Sequence, residues 1–317
     1  MTDGPLHTRV GPGREFDAIR TLLARWGDRA RGVGDDAAVL DVSPGARLVV
    51  STDASVEGVH FRRAWFTPAE IGWRAAASAL SDLAAMAARP LGVLLAASVP
   101  ADWRDALPDI GDGIGEAAAA AGCPIVGGDL TAGRDLALTI TVLGEAVRPV
   151  TRDGARPGDG LYVTGRLGGP RRALDALLRG ETPLAADRER FARPSARIAE
   201  ARWLAEHGAR AMIDVSDGLL ADAGHVAAAS RCRLVLDPAA VPRVHGASVE
   251  DALAGGEEYE LLCASAVALE VDAFAHAYGL PLTRVGDVLG RETGGEPVAL
   301  RGAARVDLPA GHDHFTR

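Results

Sequence analysis

Carboxylates stand at five places in this sequence where a lone surface charge fits its neighbours poorly. "GVGDDAAVL", residues 32–40, sets Asp35 and Asp36 between a glycine turn and an apolar run. "VVSTD" ends a strand-like run with Ser51 and Asp53, which strand alternation turns to one side. "PIVGGDLT" ends another such run with Gly127, Gly128 and Asp129. In "AMIDVSDGLL", Asp214 and Ser216 share a strand face, and Asp217 either caps the following helix or ligates something near it. Asp82 differs: in "AAASALSDLAAMAA" it interrupts a helix of Ala, Leu and Met, so it is expected to be buried. A buried, ionised carboxylate is costly unless a cation pairs with it.

Each aspartate alone also reads as a cap, a turn former or a surface charge. If the five converge, like charges raise each other's pKa and cations must offset them. Hard oxygen ligands with few His or Cys nearby point to Mg²⁺. Several Mg²⁺ ions in one acidic nest imply bound phosphates, because Mg²⁺ keeps waters and shares ligands with its substrate. Arg152 in "TRDGARPGDG" is placed for a phosphate fork, or is a solvated linker arginine. His60 reads equally as a substrate contact or a structural histidine. "VTGRLGGPRRAL" is a phosphate cradle or an ordinary strand-to-helix turn. "GGEEYELL", with Glu257 and Glu258, reads as a hairpin turn with a charged edge.

The elements that must position these residues alternate in type. Strand-length apolar runs such as "ARLVVSTD", "PLGVLLAASV", "DLALTITVLGEAV", "GLYVTG", "AMIDVSD" and "CRLVLD" are interleaved with helix-length segments. Helices are expected near 68–88, 102–121, 169–180, 195–207, 217–229, 245–254 and 267–278. "RPVTRDGARPGDG" breaks the pattern with Pro, Gly and charge, which places domains at 1–148 and 149–317. "DRERFARPSAR" reads as a surface crossing, and no fixed-period repeat is evident.

Composition removes several function classes. The net charge of −9 with no basic block disfavours nucleic acid as partner. All 34 basic residues are Arg; the chain has no Lys, which rules out a P-loop lysine, a protein-kinase strand lysine and a pyridoxal Schiff base. Cys123, Cys232 and Cys263 are widely spaced and read as buried thiols rather than a zinc site. No apolar run approaches the roughly 20 residues of a membrane span. "MTDGPLHTRV" lacks a secretory pattern, so a cytoplasmic protein without membrane partners is expected.

Eight blocks in order carry a resemblance: "GVGDDAAVL", "STDASVEGVHF", "SDLAAMAARP", "GGDLT", "TRDGARPGDGLYVTG", "IDVSDGLLADAGHV", "GGEEYELL" and "GHDHF". Together they resemble the thiamine-monophosphate kinases, in the superfamily of aminoimidazole ribonucleotide synthetase and selenophosphate synthetase. The resemblance implies ATP-dependent phosphorylation of thiamine monophosphate to thiamine diphosphate in one in-line step, the last of thiamine diphosphate biosynthesis. It implies an α+β, two-domain PurM-like fold. The N-terminal domain would bind ATP and Mg²⁺, its strands forming a barrel shared in a homodimer. The C-terminal domain, with a mixed sheet and covering helices, would complete the active site.

Carried over residue by residue, the family's pattern assigns several Mg²⁺ ions to Asp36, Ser51, Thr52, Asp53, Asp82, Asp129, Asp214 and Asp217. ATP would be contacted by Gly128, Asp129, Arg152 and Ser216, with the "GDGIG" segment near Gly113 beside the adenosine. His60, one of Glu257 and Glu258, and the terminal region with Phe315 would hold the thiamine part. Two departures stand out: the family often has Asp in place of Glu258 and an aromatic in place of His312. The rivals are another ATP-using enzyme of the superfamily, selenophosphate synthetase-like, and a non-catalytic nucleotide- or metal-binding regulator. The first 120 residues hold no Cys, which argues against the former.

Overall fold

The computed structural model describes residues 14–33, 37–291 and 296–302; Asp35, Asp36, His312 and Phe315 lie outside these described residues. The chain divides into two units, Met1–Leu83 with Ala88–Arg148, and Pro149–Arg317 with Ala84–Ala87.

The first unit is built on a four-stranded sheet of β1 (Arg47–Val56), β2 (Arg89–Val99), β3 (Ile125–Ala132) and β4 (Ala137–Ala146) in the order β1-β4-β2-β3. β4 runs antiparallel to both neighbours and β2 pairs parallel with β3. Leu138, Ile140 and Val142 of β4 and Val93, Leu95 and Ala97 of β2 are buried on one face. Across the other face, Leu48 and Val50 of β1 stay 51% and 55% exposed.

Helix α2 (Pro68–Ala85) starts from a capping box: Thr67 donates its N–H to Glu70, whose own N–H reaches the Thr67 hydroxyl. It packs against α3 (Leu107–Ala120) almost backbone to backbone. A Cβ on Gly72 would fall 2.0 Å from the Ile110 carbonyl oxygen, and one on Gly113 1.8 Å from that of Ala69.

The expected helices do not include α1 (Arg14–Trp26). It carries two buried side chains, Leu22 and Trp26, which lie against Gly111 and Gly115 of α3. Phe16, Ile19, Leu22, Leu23 and Trp26 recur at helical spacing, so the sequence does carry the periodic signal of this helix.

The second unit holds a six-stranded sheet in the order β10-β7-β9-β5-β8-β6. The strands are β5 (Gly160–Thr164), β6 (Ala209–Asp214), β7 (Cys232–Leu236), β8 (Leu261–Ser265), β9 (Leu282–Gly290) and β10 (Val298–Leu300). Only the β10–β7 pairing is parallel, which makes the sheet mixed. The helices are α4 (Gly169–Leu178), α5 (Ala185–Ala192), α6 (Ile198–Glu206), α7 (Leu219–Ser230), α8 (Val249–Ala254) and α9 (Val271–Tyr278). Leu219, Ala223, Val226 and Ala227 of α7 enter the same core as Leu161, Val163, Ile213 and Val285 of the sheet.

α5 corrects the reading of "DRERFARPSAR" as a surface crossing. Its charged sequence still buries Phe191, Ala192 and Asp187, and burial of one face overrides polar composition. Cys123, Cys232 and Cys263 are buried and unbridged.

Candidate active site

In the first unit, β1 alternation separates residues that sit side by side in sequence. Ser51 and Asp53 pair with Val142 and Ile140, so they take the face that is buried on β4. There the Ser51 hydroxyl donates to Asp82 Oδ2 of α2 at 2.5 Å. Asp82 is half-buried, not sealed as its apolar neighbours suggested, and it meets the Ser51 hydroxyl of β1. Thr52 points the other way and shares a 3.0 Å hydroxyl contact with Thr141.

Asp129 is not beside this group. It lies on β3, the opposite edge of the sheet, three strand spacings or roughly 14 Å away. Its partner Ala96 pairs onward with Thr139, and Thr139 with Ala54, which puts Asp129 on the face of Thr52. Gly128 must be glycine, since a Cβ there would meet the Leu95 carbonyl oxygen at 2.0 Å. Gly113 is buried in the α2–α3 contact, where close packing against the Ala69 carbonyl accounts for the glycine. His60 accepts the Val56 N–H at Nδ1, 3.1 Å, which leaves the proton of the neutral ring on Nε2.

In the second unit, β6 delivers Asp214, 4% exposed, to the start of the turn Val215–Gly218. The "GGEEYE" segment runs alongside: Glu257 N–H donates to Ser216 O at 2.7 Å, and Val215 N–H to Glu260 O at 2.7 Å. The turn is held from α7 by Asp222, whose Oδ2 accepts the N–H groups of Ser216, Asp217 and Gly218. Burial first, then the charges of Asp214 and Asp217, push the Asp222 carboxyl up to about 8. Ligand atoms of Asp217, Asp222 and His225 lie within 4.8 Å of one another. These groups could hold a cation, and with Ser216 the donors are mostly hard oxygens. Arg152 is exposed, on a short turn whose carbonyl accepts the Ser230 hydroxyl at 2.7 Å.

The two glutamates separate. Glu258 is 5% exposed and accepts the Gly168 N–H at the start of α4. Burial, with Glu260 and Asp187 nearby, pushes it up to about 8. Glu258 thus points into the protein rather than along a charged edge, and the glycine turn before α4 holds an internal carboxylate, in line with the ordinary strand-to-helix turn. Glu257 is half-buried at φ +60°, and Tyr259 sits at φ +51°. Positive φ at two non-glycine residues marks backbone strain of the kind concentrated at functional sites.

Two residues outside the expected set matter here. Asp222 could have been found as an acid in the first helical turn after Ser-Asp-Gly, where free N–H groups collect. Glu260, fully buried, is forked by Arg197 at 2.6 and 2.9 Å and reached by Thr164 Oγ1 at 2.7 Å. Its arginine lies 63 residues away, a separation that local sequence does not reveal.

Comparison with known proteins adds an independent line. Residues 34–146 match the model of the AIR synthase related protein, N-terminal domain, and residues 156–297 that of the C-terminal domain. The thiamine-monophosphate kinase of Escherichia coli K12 is 35% identical, over 93% of this chain and 97% of the relative. A crystal structure of thiamine-monophosphate kinase from Stenotrophomonas maltophilia K279a superposes with a TM-score of 0.81 at 34% identity, covering 93% and 98% of the two chains. A structure described as AaThiL complexed with AMPPCP and TMP gives 0.75 at 30% identity, covering 88% and 90%.

Proposed function

This chain belongs to the thiamine-monophosphate kinases of the AIR synthase related family, and from that we propose how its own residues serve the reaction. It transfers a phosphoryl group from ATP to thiamine monophosphate, giving thiamine diphosphate and ADP. The observation that carries this is similarity to thiamine-monophosphate kinases along nearly the whole of both chains.

Transfer between two phosphates asks for positioning and charge neutralisation more than covalent work. The acceptor oxygen is already largely ionised near neutral pH, so no residue is assigned as general base and no phosphoenzyme is invoked. A chain of net charge −9 without lysine has to bring two polyanions together. The oxygen donors fit Mg²⁺, which when bound supplies the positive charge that both phosphates need.

In this reading Ser51, Asp53 and Asp82 hold metal in the first unit, and Asp214 and Asp217 in the second. Asp36, Thr52 and Asp129 complete the family's ligand set. The Ser51 hydroxyl orients Asp82, and Ser216, Gly128 and Arg152 contact ATP. Glu257 is the glutamate that meets the thiamine part, since it is half-buried on strained backbone while Glu258 is turned fully inward. His60 contributes through Nε2.

A homodimer is part of the same proposal. Among the described residues no strand pairs with the outer edge of β1, which carries the exposed Leu48 and Val50, and the outer edge of β3 is joined at Ile125 by Ala30. A second copy pairing its β3 with β1 would close the sheets into a shared barrel and set its Asp129 on the face of Thr52. No helix among the described residues is long and apolar enough to cross a membrane, and we place the enzyme in the cytoplasm.

The test is direct. Purified protein with Mg²⁺, ATP and thiamine monophosphate is expected to form thiamine diphosphate and ADP in equal amounts. ATP consumption without thiamine diphosphate would remove the assignment.

A further inference from the structure

Asp222 is 2% exposed, yet its carboxylate faces backbone and not an arginine. The three amides of Ser216, Asp217 and Gly218 each reach Oδ2 at 3.1 Å. Consecutive N–H groups aimed at one oxygen form an anion nest, here filled from within the chain. Asp222 is itself anchored, because its own N–H donates to Gly218 O at 3.0 Å. Gly218 has no spare room, since a Cβ there would lie 3.0 Å from the Ala254 carbonyl.

We propose that Asp222 is a positioning residue for phosphoryl transfer: its carboxylate fixes the 216–218 backbone so that Ser216 and Asp217 present their side chains in one orientation. The proposal rests on the reading of Ser216 as an ATP contact and Asp217 as a metal ligand. Asp222 Oδ2 is taken up by the three amides, while half-buried Asp217 has a carboxylate oxygen within 4.8 Å of ligand atoms of Asp222 and His225, so a shift of the turn moves that ligand group. Misplacement by about 1 Å can cost on the order of 100-fold in rate, so a brace on the backbone has catalytic weight without touching substrate.

Asparagine keeps a carbonyl oxygen for the three amides, and alanine leaves them without an acceptor. Asp222→Asn is therefore expected to keep kcat within about threefold, while Asp222→Ala loses on the order of 100-fold and needs more Mg²⁺ for half-maximal rate. Both are assayed below their melting transitions, where a purely structural residue would leave the Mg²⁺ midpoint unmoved. An asparagine variant as impaired as the alanine one overturns the brace in favour of direct ligation. So does an alanine variant with the wild-type rate or the wild-type Mg²⁺ midpoint, in favour of no catalytic role. Should Asp222→Ala not melt cooperatively, the asparagine variant decides alone: retained kcat and Mg²⁺ midpoint support the proposal, and loss of either overturns it. Asp217→Asn in parallel separates the underlying reading, because full activity there removes Asp217 as a ligand whatever Asp222 does.

Discussion

Glu145 shows how one carboxylate outside the acidic stations governs the approach to them. It accepts the Ser43 N–H at 2.6 Å, the Ser43 hydroxyl at 2.7 Å and Arg89 at 2.5 Å. It thereby ties the segment entering β1 to β2 and β4. The Ser43 amide, the Ser43 hydroxyl and Arg89, in that order, hold its carboxyl down at about 2. A carboxylate whose folded pKa lies below its unfolded value of roughly 4.3 stabilises fully above that value and progressively less as pH falls toward the folded one. The melting-temperature advantage of wild type over Glu145→Gln should thus be constant at neutral pH and shrink between about pH 4.5 and 2. An advantage independent of pH across that window would mean that the charge of Glu145 is not what stabilises the contact.

At the scale of elements, the α2–α3 contact decides where Asp82 stands. Gly72 and Gly113 allow the helices to touch through their backbones, and α2 then carries Asp82 to the Ser51 hydroxyl. Gly113→Ala inserts a methyl group where 1.8 Å separates it from a carbonyl oxygen. The higher helix propensity of Ala offsets about 1 kcal/mol, and overpacking outweighs it. The expected outcome is a loss of about 2 kcal/mol of unfolding free energy in denaturant melts, and an unchanged midpoint would show that the helices part without strain. A glycine in a helix is visible in sequence, but whether it serves a ligand or a neighbouring helix is decided by what lies opposite. For Gly113 that is the carbonyl of Ala69, 44 positions earlier in the chain.

For the whole molecule, the acidic charge and the one-sided first sheet belong to one design. An acidic protein that handles acidic substrates depends on added cations, and a sheet with Leu48 and Val50 exposed calls for a cover. Val50→Asp is expected to yield a monomer by sedimentation with activity well below that of wild type. A variant that stays dimeric and active, or a wild type that is monomeric at assay concentrations, would remove the shared barrel. The sequence by itself determined the reaction class, the α+β alternation and the acidic stations, because apolar periodicity and ordered motifs are local and additive signals. The inward turn of Glu258, the brace of Asp222 and the separation of Asp129 from Asp53 were decided only by tertiary structure. Strand order, hydrogen-bond partners and burial depend on residues far apart in the chain, and no local pattern encodes which of them meet.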